Sequence, residues 1–151
     1  MTLASEPMTR RVIVVPPELP LTDAWAIMRR ERFRHLPVVR DGAILGILSD
    51  RDVLLRAHLG PEGEVQPPDV PAAQAMSLAP YACEPDTDVA DLVRTMTERK
   101  IDAMPVVDAA GRLVGLVTST DLMLLLIRLD EAKAPLPFEW EIETVHPAAF
   151  A

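Results

Sequence analysis

Leu36-Pro37-Val38-Val39 returns 68 positions further on as Met104-Pro105-Val106-Val107, and this doubled stretch decides the architecture. Working outward from it, Met28 matches Met96 and Met8 matches Met76 at the same spacing. Beyond the run the offset grows by one residue, because the turn at Asp41 and Gly42 has Ala109, Ala110 and Gly111 as its copy. Gly46, Ser49 and Asp52 then correspond to Gly115, Thr118 and Asp121. A repeat whose one insertion falls in a turn was duplicated as a folded unit, since turns absorb changes of length that strands and helices do not.

Both copies read alike. Arg11 to Val15, closed by Pro16 and Pro17, predicts a short strand. Leu21, Ala24, Trp25 and Met28 recur at helical spacing and predict a helix from Leu21 to Arg32. Leu36 to Val39 and Ala43 to Leu48 predict antiparallel strands around Asp41 and Gly42, a dipeptide that tolerates the positive φ angles of a tight hairpin. From Ser49 the pattern is helical again to about Leu59, and Gly60, Pro61, Gly63, Pro67, Pro68 and Pro71 form a linker. In the second copy Tyr81 to Cys83 reads as the edge strand, and Val89, Leu92, Val93 and Met96 stripe a helix. Strands at Ala103 to Val107 and Leu113 to Val117 and a helix from Ser119 to Leu129 complete it. The expected fold class is α+β, two β-α-β-β-α repeats over residues 1–62 and 63–130 with an irregular tail over 131–151.

At 151 residues the repeat favours two small halves that share a core over one ordinary domain. A net charge of −8 argues against nucleic acid or an anionic membrane as partner, because both need a basic footprint. Cys83 is the single cysteine, so no intrachain disulfide forms, and the N-terminus lacks a secretory pattern. The longest apolar run, Leu122 to Ile127, is far short of the roughly 20 residues that span a bilayer. A cytoplasmic location is expected. In the last helix Leu122, Leu125, Leu126 and Leu129 share one face, but Met123, Leu124 and Ile127 make it apolar nearly all round. Such a helix is usually covered on more than one side, which predicts a homodimer through Leu122 to Leu129. The alternative is a monomer whose tail, with Phe138 and Trp140, folds over that helix.

Each copy ends its last strand with a glycine, two apolar residues, a hydroxyl residue and an acid three positions later: Gly46, Ser49, Asp52 and Gly115, Thr118, Asp121. The glycine permits close approach, the hydroxyl sits where free helix amides attract anions, and the acid can accept two hydrogen bonds from a ribose diol. The same residues also make capping boxes that need no ligand. Catalysis finds little support. His35, His58 and His146 lie at unrelated places, no Cys or His pair has metal-ligand spacing, and Asp50 and Asp52 start a helix on different faces. No enzyme, metal or catalytic cofactor is expected.

In these motifs the chain resembles a tandem pair of CBS domains, the Bateman module. Met8-Thr9 and Met76-Ser77 match the family's opening, the two proline-led runs its central strand, and Gly46 to Asp52 and Gly115 to Asp121 its closing signature. The resemblance covers about residues 7 to 129. It implies a regulatory module whose repeats pack sheet to sheet with pseudo-twofold symmetry around two clefts for AMP, ADP, ATP or S-adenosylmethionine. Asp52 and Asp121 would hold the ribose, with Ser49 and Thr118 beside them. The base would lie among Val12, Ile13, Val14 and Pro37 in one cleft and Ala82, Cys83 and Pro105 in the other, although Cys83 is equally a small core residue. Arg34 and His35 precede the first proline-led strand, where such modules often meet phosphate. The second copy has Asp102 and Ala103 there, and Thr120 in place of Arg51. The first copy's cleft is therefore expected to be the better phosphate binder, while Arg29, Arg30, Arg32 and Arg34 also suit a solvated helix end. Occupancy would be passed to an unidentified protein target. The alternative from another class is a ligand-independent dimerising scaffold.

Overall fold

The computed structural model describes residues 1–78 and 81–130. Helices α1 (Leu21–Glu31), α2 (Asp50–Leu54), α3 (Val89–Arg99) and α4 (Ser119–Leu129) alternate with hairpins β1 (His35–Arg40)/β2 (Ala43–Ser49) and β6 (Ala103–Val107)/β7 (Leu113–Thr118). Strands β3 (His58–Leu59), β4 (Val65–Gln66) and β5 (Ser77–Leu78) lie between α2 and α3. The class is α+β with small antiparallel sheets. The expected tail over 131–151 lies outside the described residues. Among those described, no helix is long and apolar enough to cross a membrane.

The two hairpins share a register. Pro37 faces Ile47 and Pro105 faces Leu116, with a bulge at the same place in each ladder. Asp41 and Gly42, at φ 53° and 81°, form the two-residue turn that the sequence predicts. The longer copy is closed by Asp108, whose Oδ1 accepts from the N–H groups of Ala110 and Arg112 at 2.9 Å each.

The strands expected at Arg11 to Val15 and Tyr81 to Cys83 shrink to single parallel bridges, Val15 to Val38 and Cys83 to Val106. Proline brackets both. Val15 N–H donates to Pro37 O at 3.0 Å and Val39 N–H to Val15 O at 2.9 Å. The next donors along a parallel ladder would be Pro17 on one side and Pro37 on the other, and neither has an N–H. Pro85 and Pro105 stop the second bridge in the same way. The helix expected to run to Leu59 ends at Leu54 instead. Gly60 donates to Glu64 O at 2.8 Å across a tight turn, which draws His58–Leu59 into pairing with Val65–Gln66.

The opening segment of each copy crosses to the other. Ser77 and Leu78 pair with Ile47 and Gly46 of β2, and Thr9 bridges Leu116 of β7. Two cores result. Leu21, Met28, Leu36, Val38, Leu48 and Val53 pack with Ala72 and Ala75 from beyond the linker. Leu92, Met96, Met104, Val106 and Val117 pack with Cys83 and with Ala4 from the chain's start. Leu36 and Leu92 are sealed from solvent, so truncating either to alanine costs about 2–5 kcal/mol. The hairpin tips also meet, Leu113 N–H donating to Gly42 O at 3.2 Å.

Candidate ligand clefts

At the end of β2, Ser49 caps α2: its Oγ accepts from Asp52 N–H at 3.1 Å, and Asp52 Oδ2 accepts from Ser49 N–H at 2.8 Å. Thr118 caps α4 likewise, at 3.3 Å and 2.8 Å, and its hydroxyl also donates to Asp121 Oδ2 at 2.8 Å. Both capping boxes are complete as they stand. Each acid nonetheless borders a cleft.

One cleft, of about 270 Å³, sets Thr118 and Asp121 against Val12 and Ile13, with Arg11, Arg32 and Arg34 on its rim. The other, of about 630 Å³, sets Ser49 and Asp52 against Tyr81, Pro105, Ile47 and Leu78, with Arg51 and Lys100 at hand. Arg34, His35 and Asp102 line both. Through the crossed packing, each acid therefore shares its cleft with apolar residues of the other copy, Val12 and Ile13 for Asp121 and Leu78, Tyr81 and Pro105 for Asp52.

Four expected residues line neither cleft. Pro37 is fully buried in β1, and Cys83 belongs to the second core. Val14 is 46% exposed, and Ala82 is exposed too, because Val15 and Cys83 beside them face inward and side chains alternate along an extended chain. The expected contrast between a basic first copy and an acidic second is also redistributed. Arg34 and Asp102 serve both clefts, Thr120 lines the smaller and Arg51 the larger. Arg34 lies 3.5 Å from Asp50 and stays largely exposed, free to turn toward an anion. Arg29 lies over the Trp25 ring and Arg30 pairs with Glu31, as a solvated helix end would have them.

Sequence reading missed Thr9, Arg11, Tyr81 and Lys100 as lining residues and weighed Arg32 only as one of a basic helix end. Arg32 and Lys100 carried a usable signal, since both are basic and stand at the repeat spacing just past matching helices. The others reach the clefts through the crossing.

Charge sets the chemistry. Burial, then the Arg34 guanidinium, holds His35 below its usual value of 6.5, against the pull of Asp50, Asp102 and Asp52. A neutral imidazole between two clefts is a hydrogen-bonding group that a phosphate can charge. Burial pushes the Cys83 thiol up to about 11, so it is a core residue with little thiolate character.

Residues 4–58 and 70–128 each match the CBS domain. The chain belongs to the CBS-domain family. It is similar to the CBS domain-containing protein YhcV of Bacillus subtilis (strain 168), 30% identical over 123 residues that cover 81% of this chain and 84% of YhcV. It is also 28% identical over 114 residues to the inosine-5'-monophosphate dehydrogenase of Thermoplasma acidophilum. That match covers 76% of this chain but 21% of the dehydrogenase. Among solved structures, CBSX2 in complex with AMP superposes with a TM-score of 0.73 at 26% identity, covering 87% of this chain and all of that one.

Proposed function

We propose that this CBS pair binds an adenine nucleotide, AMP, ADP or ATP, or S-adenosylmethionine, and passes occupancy to a partner protein without catalysing a reaction. The observation that carries the reading is the crossed construction of the clefts: each acid shares its cleft with apolar residues of the other copy, and Arg34 and His35 line both. The acid accepts the ribose hydroxyls, the apolar residues take the base, and Arg34, with Arg51 and Lys100 or with Arg11 and Arg32, meets phosphate. The AMP held by the similar CBSX2 supports that ligand class. A ligand that touches both copies favours the arrangement in which both contacts are made, and it shifts the population accordingly. That shift is the signal. Homodimerisation through α4 and a cytoplasmic setting complete the proposal.

A specific observation favours the second reading, a dimerising scaffold. The capping boxes close without any ligand, and α4 leaves Met123, Leu124, Leu126 and Ile127 between 49% and 71% exposed. A thermal shift scan with AMP, ADP, ATP and S-adenosylmethionine separates the two. A ligand bound by the folded form alone raises the unfolding midpoint, by the equivalent of about 2.7 kcal/mol at a hundredfold excess over Kd. No shift with any of the four leaves the scaffold.

A further inference from the structure

Thr9 and Ser77 hold equivalent places in the two copies. Each bridges the residue two before its neighbour's capping hydroxyl, Thr9 opposite Leu116 and Ser77 opposite Ile47. Their hydroxyls behave differently. Thr9 Oγ1 donates to Asp121 Oδ1 at 2.9 Å, across 112 positions of chain. Ser77 is exposed and, among the described residues, makes no hydrogen bond to Asp52.

A carboxylate offers about four acceptor positions, two on each oxygen. Asp121 has committed three: Oδ2 takes the Thr118 N–H and hydroxyl, and Oδ1 takes Thr9. Asp52 has committed one, to the Ser49 N–H, and among the described residues its Oδ1 is untouched. A ribose diol brings two donors, so Asp52 can grip it as it stands and Asp121 cannot. Thr9 is also slow to yield. Its backbone is fixed on both sides, Thr9 N–H donating to Leu116 O at 2.8 Å and Leu116 N–H to Thr9 O at 3.0 Å, and its branched Cβ restricts χ1.

We propose that Thr9 makes the two clefts unequal: its hydroxyl occupies Asp121, so a diol-bearing ligand fills the Asp52 cleft first and enters the Asp121 cleft only by displacing Thr9. This rests on the nucleotide reading above and sharpens it into ordered occupancy. Two thresholds of ligand concentration follow from one duplicated site.

Calorimetric titration of the full chain with AMP tests it. The parent should show a tight and a weak site. Thr9→Val keeps the volume and both backbone bonds but removes the donor, and it should tighten the weak site about tenfold, one net hydrogen bond's worth. Thr9→Ser should behave as the parent, and Thr9→Ala serves where valine is not accommodated. In an Asp52→Ala background only the Asp121 cleft remains, and the same comparison should hold there. With 2′,3′-dideoxy-AMP, which has no diol, the parent and the Thr9→Val variant should bind alike. Equal weak-site affinity for AMP with and without the Thr9 hydroxyl overturns the ordering and leaves the nucleotide reading standing. No AMP binding by the parent overturns both.

Discussion

Arg32 and Lys100 close their helices in the same left-handed conformation, with φ of 58° and 54°, and each donates its backbone N–H to a methionine carbonyl of the helix it ends. Glycine is the usual residue at such a position, because a Cβ there costs about 1 kcal/mol. A basic side chain is kept at both, and Arg32 lines the smaller cleft while Lys100 lines the larger. The helix C-terminus favours a basic residue there, and the phosphate-bearing ligand proposed above would favour it too.

Arg32→Gly and Lys100→Gly are therefore expected to change unfolding free energy by no more than about 1 kcal/mol, since relief of strain offsets the added chain entropy. AMP affinity should fall about tenfold at the affected cleft, the cost of one charge-assisted hydrogen bond. Denaturant unfolding and calorimetric titration of the same samples provide the check. A large loss of stability with unchanged affinity would assign both residues to the fold.

The crossing of the opening segments depends on two glycines. A Cβ on Gly46 would lie 2.5 Å from Ser77 O and 2.7 Å from Met76 Sδ, whereas on Gly115 it would meet Met8 Sδ at 2.7 Å and Thr9 O at 3.1 Å. A thioether end can swing aside, but a paired backbone carbonyl cannot. Gly46→Ala is expected to cost about 2–3 kcal/mol and Gly115→Ala about 1 kcal/mol. Equal midpoints in urea for the two variants would remove the distinction.

These crossings mark the limit of what the sequence discloses. Hairpins, turns, the helix α4 and the two capped corners are legible, because each follows from local period and turn chemistry within a few residues. Which apolar residues share a cleft with which acid is not. Pairing of Thr9 with Leu116 joins residues more than a hundred positions apart, and neither side chain advertises the other. The short α2 is hidden for a different reason: Leu54, Leu55 and Leu59 continue a helical apolar pattern, yet the Gly60 turn provides local pairing that a three-turn helix would forgo. Pro17 and Pro85 are visible, but only the geometry of a parallel ladder reveals which N–H each one deletes.

Asp52 caps α2, and one substitution can separate that from the ribose-accepting role proposed for it. As ribose acceptor it should be worth about 1.5–3 kcal/mol of AMP binding, and as a capping partner about 0.5–2 kcal/mol of stability. Asp52→Ala is expected to weaken AMP binding roughly tenfold to a hundredfold while stability falls by the smaller amount. Titration performed well below the variant's unfolding midpoint keeps the two effects apart. Unchanged affinity would leave Asp52 as a cap alone.

His35 offers a prediction whose sign can be worked through. Its folded pKa is depressed by burial and by Arg34, with Asp50, Asp102 and Asp52 pulling the other way and losing. Above about 6.5 the imidazole is neutral in folded and unfolded chains, and its contribution to stability is fully present. As pH falls below that value the unfolded chain takes a proton that the folded chain refuses, so stability declines until the folded pKa is passed. His35→Gln should remove that part of the slope, as denaturation curves at a series of pH values would reveal. Ligand reverses the balance. A phosphate placed beside His35 favours the imidazolium, so binding of AMP should take up protons and strengthen as pH drops from about 7.5 to about 6.5, where the phosphate itself still carries most of its second charge. Calorimetry in two buffers of different ionisation enthalpy counts those protons directly. Uptake in the parent that vanishes in His35→Gln places the phosphate at the junction of the clefts. Zero uptake in both places it elsewhere, and with it falls the role of His35 as a phosphate contact.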